Sequence, residues 1–321
     1  MRLVDLLFLL FDVEPIFYHI LGVVGVSSNF VAIVILTRGR CGLSKGVTWY
    51  LLSMALADLL VIIIDVIVSK MNFLGLYSSF VYYTPGCNIR EVISSTIVEI
   101  SVWLTVAFTF DRTVAICFQK LKIKYCTEKT AATVITTVSV LSLLTNIPLF
   151  FKYILYDFDY YCSVTYQYYH SPLWITFDWI LRILTPVLPF VLILLLNTLT
   201  VRHILMANAV RRKLRGQRNG DEKNDSEMKN RRRSIILLFT ITGSFILLWA
   251  TRVVYLSIQR ITGMYEVWTT PVLVTDMMGR MLQLSSSCTN TFIYVVTQRK
   301  FREEVMNAVK YPFTLILKFI K

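Results

Sequence analysis

Apolar residues in this chain come in long runs separated by short polar stretches, the pattern of helices that cross a bilayer rather than pack as a soluble core. A hydrocarbon core about 30 Å thick takes roughly 20 apolar residues of helix. Seven stretches reach that length, near residues 15–37, 47–69, 88–117, 131–151, 173–201, 234–258 and 270–296. They predict an all-α membrane protein, a seven-transmembrane helix bundle whose termini lie on opposite sides. Gln298 to Val305 then reads as a short amphipathic helix along the membrane surface. On this reading 1–14 is a short terminus, 15–296 the bundle, and 297–321 the amphipathic helix and tail. The connection at about 205–232 has no apolar period and is expected to be disordered at its tip, its basic ends continuing the flanking helices.

The polar residues that interrupt these runs are the informative ones, because a charge facing lipid is costly and belongs in the bundle interior or at a mouth. Trp103 to Thr113 ends the third span on the pair Asp111-Arg112. Steps of three and four along that span align Cys87, Glu91, Ser94, Ser101, Thr105 and Arg112 on one face. Glu99 falls off that face with no evident partner. The second span carries Asp58 among small and aliphatic residues, with Asp65 two turns further on. The sixth aligns Phe245, Trp249 and Arg252, and the seventh aligns Asp276, Arg280, Gln283, Ser287, Asn290 and Tyr294. In the first, Gly22 and Gly25 suit close helix packing, and Asn29 wants a partner inside the bundle. Pro186 and Pro189 mark a local break in the fifth.

Composition agrees: of 321 residues, 55% are hydrophobic and 13% aromatic. The net charge of +13 is unevenly placed. Most of the lysines and arginines lie after spans one, three and five and in the tail, so these segments are cytoplasmic and the N-terminus extracellular. Asp5, Asp12, Glu14, Asp157 and Asp159 then lie outside. The basic excess is a topology signal and a contact for anionic membrane lipids; nucleic acid is not an expected partner. Leu3 to Phe11 is interrupted by Asp5 and does not make a secretory signal. The sequon Asn224-Asp225-Ser226 falls on the cytoplasmic side. Of six cysteines, Cys87 and Cys162 face the oxidising side, where a disulfide between them is expected, two free thiols being the alternative. The three histidines, His19, His170 and His203, have no metal-ligand spacing, and no nucleophile motif stands out, so an enzyme is not expected.

In order and placement these features resemble the rhodopsin-like (class A) G-protein-coupled receptor family over essentially the whole chain. The matching residues are Asn29, Leu56-Ala-Asp58, Cys87 with Cys162, Asp111-Arg112-Thr113, Pro189, Phe245 with Trp249, and Asn290-Thr-Phe-Ile-Tyr294 followed by Phe301. The chain departs from the family pattern at Thr113, Thr251 and Thr291, lacks the usual tryptophan of the fourth span, and has Arg231 where some relatives place an acid opposite the arginine of Asp-Arg. Glu91-Val-Ile-Ser-Ser, Phe239-Thr-Ile-Thr, Leu248-Trp-Ala and Arg252 look like one branch, orphan-derived receptors that sense aromatic amino acids and small peptides.

The resemblance implies a plasma-membrane receptor that binds an extracellular small molecule or peptide and activates a heterotrimeric G protein, in this branch Gq/11. It implies ligand contacts from Glu91, Ser94, Trp249, Arg252 and Arg280, Glu91 taking an amine and an arginine a carboxylate; the plainer alternative is a Glu91–Arg252 ion pair. It implies a switch built on Asp111, Arg112, Asn290 and Tyr294. It also implies an allosteric sodium ion held by Asp58, Ser101, Ser286 or Ser287, and Asn290, against a protonated Asp58 hydrogen-bonded in the bundle; no other cofactor is expected. A retinal pigment is excluded, since residues 270–296 contain no lysine. An amine-specific receptor is disfavoured by Ser94. A peptide-hormone receptor remains an alternative of the same fold, and a transporter or channel one of a different class, although no inverted repeat supports it. Without an acid opposite Arg112, measurable basal signalling is expected.

Overall fold

The computed structural model describes residues 3–39, 41–69, 85–155, 162–215, 222–262 and 269–307, and within them the side chains other than those of 3, 4, 6, 155, 162, 208–215, 222–234 and 260. Helix α1 is Leu3–Thr37, and α2 is Lys45–Val61, continuing as a π-turn over Ile62–Val68. The long α3 (Gly86–Cys117) is followed by the short α4 (Gln119–Tyr125) and by α5 (Glu128–Asn146), which tightens into a 3-10 turn at Ile147–Phe151. An antiparallel hairpin, β1 (Tyr153–Leu155) with β2 (Cys162–Val164), pairs Tyr153 with Val164 and Leu155 with Cys162. The chain then forms α6 (Tyr166–His170), α7 (Pro172–Arg182), a π-turn at Ile183–Val187, α8 (Leu188–Arg215), α9 (Glu222–Thr262), α10 (Thr270–Thr297) and a last helix, α11, over 299–307.

Among the described residues, six helices are long and apolar enough to cross a membrane. The seventh long helix, α10, falls short of that apolarity because of its polar row from Asp276 to Asn290. Helix α1 begins well before residue 15, where the first span was expected. Asp5 in its first turn complements the positive end of the helix dipole. The helices flanking the basic connection extend to Arg215 and resume at Glu222; the expected tip at 216–221 lies outside the described residues. Local chemistry explains several boundaries. Thr127 caps α5 by accepting from the Thr130 amide at 3.2 Å, with Glu128 in the first turn. Pro172 stands in the first turn of α7, where its missing N–H costs nothing. Pro186 lies where the fifth span gives up α-helical geometry, and Thr185 there has φ −143° and ψ 103°.

Helix α3 is central, packing on α2, α5, α8 and α9, while α10 packs between α1 and α9. Two glycines permit the close approaches. A Cβ at Gly25 would sit 2.8 Å from Cys288 Sγ and from Ile62 Cγ1, so these side chains of α10 and of the π-turn after α2 pack directly on the α1 backbone. A Cβ at Gly279 would lie 3.2 Å from Arg252 Cα, which presses α10 on α9 one turn from Asp276. Near Arg112 the core is Leu104, Phe108, Leu237, Leu238, Ile241 and Tyr294. Phe301 of α11 closes it from below, its ring edge-on to Tyr294 at 5.7 Å. Opposite Phe301, Arg299 and Glu303 pair in the exposed face at 2.7 Å, so α11 has the two-faced character expected for it.

Candidate functional site

At the Cys87 end a cavity of about 270 Å³ opens between α3, α5, the loop after α5, α7, the π-turn and α9. Glu91, Trp249 and Arg252 line it together. Its charges are ion-paired across elements. Lys152 pairs with Glu91, which also accepts from the Tyr153 hydroxyl at 3.3 Å. The ammonium lies 5.2 Å and 5.1 Å from the ring centres of Tyr153 and Tyr168. Burial pulls the Lys152 pKa down, but the Glu91 carboxylate and the two tyrosines outweigh this and hold it above the usual lysine range. Arg182 donates to Asp178 at 2.6 Å and to the Leu256 carbonyl at 2.8 Å, joining α7 to α9. Asp178 accepts in addition from the Tyr168 hydroxyl at 2.7 Å, and burial pushes that phenol well above its ordinary pKa. Arg252 and Arg280 share the two oxygens of Asp276.

These pairings differ from the expected ones. Glu91 does not meet Arg252: its partner is Lys152, and that of Arg252 is Asp276. Ser94 donates to Asp65 at 2.5 Å, joining α3 to the π-turn of α2, and neither residue lines the cavity. Arg280 is also absent from the lining and takes part through Asp276. Glu99 does have partners: Asn146 donates to it at 2.5 Å and Thr145 at 3.2 Å, from α5. The start of β1 is held to α3 by Asn88, which accepts from the Tyr153 amide at 3.1 Å and donates to its carbonyl at 3.3 Å. Cys87 is disulfide-bonded and Cys41, Cys117, Cys126 and Cys288 are free; the side chain of Cys162 lies outside the described ones.

Trp249 is the floor of this cavity and also the roof of a second, much smaller void. That void, about 10 Å³, is lined by Asp58, Ser101, Ser286 and Asn290 among others. The indole N–H donates to Ser286 at 3.1 Å. The buried Asp58 carboxylate accepts from Ser101 at 2.8 Å and from Asn290 at 2.7 Å. A carboxylate, hydroxyls and room for about one water-sized occupant form a hard oxygen donor set that fits a small monovalent cation. Ser286 lines the void and Ser287 does not; the Ser287 carbonyl instead accepts from Asn29 at 2.8 Å, tying α1 to α10.

At the opposite end a wider crevice of about 930 Å³ is lined by Arg112, Lys122, Cys126, Leu237 and Lys300 among others. Arg112 pairs with its own neighbour, Asp111. Thr113, the departure beside it, turns into the bundle and meets the Thr200 hydroxyl at 3.1 Å. Burial, and then the Asp111 carboxylate, push the Cys126 thiol up to about 11, so it stays protonated at neutral pH. The Tyr294 ring is buried, and its hydroxyl has no hydrogen-bond partner among the described residues. The Arg231 side chain lies outside those described.

The sequence signals for the missed residues were weak. Lys152 reads as an ordinary loop cation, and Asn146 as a helix end. Asp178 and Arg182 are an i, i+4 pair, and two charges within an apolar span are the signal that marks them. The arrangement that results is one bundle with a charged cavity at one end, an arginine crevice at the other, and an aromatic and polar core between. Residues 28–294 match the family described as 7 transmembrane receptor (rhodopsin family).

Proposed function

The chain belongs to the rhodopsin-like family of seven-helix receptors, and from that premise we propose that it is a plasma-membrane receptor that turns binding of a small extracellular ligand into activation of a G protein. The Cys87 end faces outside and the Arg112 end the cytoplasm, in line with the basic connections. The observation that carries the reading is the place of Trp249, which lines both the charged cavity and the void beneath it. A ligand resting on the indole changes the packing that Trp249 shares with Phe245, whose ring centre is 5.3 Å away, and with Ser286. Phe245 belongs with Val102, Val106 and Ile193 to the buried cluster around the indole.

A volume of about 270 Å³ lies at the small end of ligand pockets, which favours an amino-acid-like molecule or the tip of a short peptide. Arg252 takes its carboxylate in a charge-assisted bond, in competition with Asp276, while Glu91 with Lys152 forms the wall. Asp58, Ser101, Ser286 and Asn290 hold a sodium ion that favours the resting state. Cys87 bonds to Cys162, a pairing supported by the four other cysteines being free. Gq/11 is the proposed partner, from the branch resemblance. Ligand shifts the receptor only by binding the active form better than the resting one.

Calcium and cyclic-AMP responses of transfected cells to aromatic amino acids and short peptides test this. The expected result is a calcium response that Arg112→Ala abolishes and Arg252→Ala shifts by ten-fold or more. A ligand-gated current without G-protein dependence would instead indicate a channel.

A further inference from the structure

We infer that Glu99 is the seat for a cationic nitrogen of the ligand, which makes the cavity a receptor site for a molecule bearing a protonated amine or amidine. This rests on the receptor reading above. Three acids line the cavity: Glu91, Glu99 and Asp178. Glu91 is taken by Lys152 and Asp178 by Arg182. Among the described residues, Glu99 alone of the three has no cation beside it. Its oxygens accept only from neutral groups, the Asn146 amide and the Thr145 hydroxyl. A carboxylate that is 5% exposed, inside a membrane-spanning bundle, calls for a counter-charge or a proton.

The surroundings point to a ligand. Glu99 is on the same cavity wall as Ser95, one turn away on α3. The Thr185 hydroxyl, at the broken stretch of the fifth span, lines the same cavity, and its oxygen is buried with no hydrogen-bond partner. A nitrogen with two or three N–H groups would satisfy Glu99 and Thr185 together. Arg252, which shares Asp276 with Arg280, lines the cavity as well. The site is therefore complementary to a zwitterion, with its cation toward α5 and its anion toward α10. Glu91 does not serve this role, because a ligand amine there would have to displace both Lys152 and Tyr153.

The test does not need the natural ligand. Ser95→Cys places a thiol beside Glu99, on intact cells expressing the full receptor. Its modification by two membrane-impermeant methanethiosulfonates is compared, one carrying trimethylammonium and one carrying sulfonate. With Glu99 present the cationic reagent reacts faster. Adding Glu99→Gln, which keeps shape and hydrogen bonding, is expected to lower the cation-to-anion rate ratio by about ten-fold or more. Surface expression confirms that each variant folds. A ratio unchanged within about two-fold overturns the inference, since Glu99 would then be a neutral structural group. Failure of the cationic reagent to modify Ser95→Cys overturns it also, because no outside cation would reach the carboxylate. Phenylalanine, phenethylamine and 3-phenylpropionate serve as competitors. Protection by the two amines that is lost with Glu99→Gln supports the inference, and protection by 3-phenylpropionate alone contradicts it. A receptor that activates its G protein with an unchanged ratio would leave the proposed function standing and remove only this site.

Discussion

The two ends of the bundle hold their charges in opposite ways. At the Cys87 end the ion pairs and their hydrogen bonds bridge elements: Lys152 in the loop to Glu91 on α3, Arg182 on α7 to the α9 backbone, and Arg252 on α9 to Asp276 on α10. At the Arg112 end the Arg112 pair closes within α3, between adjacent residues, and the pair that does bridge helices there, Lys45 with Glu128 at 3.3 Å, is exposed and ties α2 to α5 rather than to α9. Among the described side chains, α3 and α9 meet there through apolar packing, with Leu237, Leu238 and Ile241 in the same core as Leu104 and Phe108. Moving the Arg112 end of α9 therefore breaks no described ion pair, whereas moving its Cys87 end breaks the Arg252–Asp276 pair and the Arg182 bond to the Leu256 carbonyl. A receptor that opens on the cytoplasmic side and stays fixed around its ligand needs this asymmetry.

The largest expected effect comes from removing the acid that two guanidiniums share. Asp276→Ala leaves Arg252 and Arg280 to repel each other in a half-buried place, a loss of about 3 kcal/mol and, for a chain of this size, a fall of roughly 5–10 °C in melting temperature. A thermal-shift assay on solubilised receptor reads this directly, and a fall under about 2 °C would mean that the Cys87 end is not held by this cluster.

Next is Lys152→Met, which unpairs Glu91 and frees the hairpin, with a cost of about 2 kcal/mol. A double-mutant cycle with Glu91→Gln is expected to show coupling above about 1 kcal/mol, and a cycle of Glu91→Gln with Arg252→Ala close to none. The pH dependence has a definite sign. The Lys152 pKa is raised in the fold, so the stability it lends is fully present below the unfolded lysine value of about 10.4 and is lost only as pH rises through the still higher folded value. The difference in melting temperature between wild type and Lys152→Met should therefore stay flat from about pH 6 to 9.

At the other end, Asp111→Asn is expected to leave melting within about 2 °C, because the pair ties no two helices together. It should raise basal nucleotide exchange about three-fold or more by freeing Arg112. A large fall in stability with unchanged exchange would reverse the comparison. The smallest effect belongs to Tyr294→Phe. Its hydroxyl is buried and unpartnered, so its removal costs less than about 0.5 kcal/mol in the resting state. A loss of signalling without a loss of stability would show that the hydroxyl finds its partner only in the active form.

Most of the fold was legible in the apolar runs, because a helix in lipid must satisfy its own backbone and the bilayer thickness fixes its length. The start of α1 was not, since Asp5, Asp12 and Glu14 read as a polar terminus although acids there also suit a helix N-terminus. Within one helix the shared face was legible: the spacing of Trp249 and Arg252 puts both on one side of α9, and both line the cavity. Partners on other helices were not. Nothing local joins Glu91 to Lys152, Arg252 to Asp276 or Glu99 to Asn146, and each pairing is settled only when the helices pack. Ser286 and Ser287 show the limit of periodicity, because one residue is a turn of about 100° about the helix axis and decides which serine faces Asp58.

The central claim is that Arg112 stands at a crevice made for a G protein and is not locked across the bundle. The most direct measurement is GTPγS loading of purified Gq, Gi and Gs by membranes carrying the receptor without ligand, compared at equal surface expression with Arg112→Ala. The account predicts exchange above empty membranes for at least one G protein, Gq first, and its return to background in Arg112→Ala. Exchange equal to background with all three would contradict the claim, as would exchange that survives the loss of Arg112.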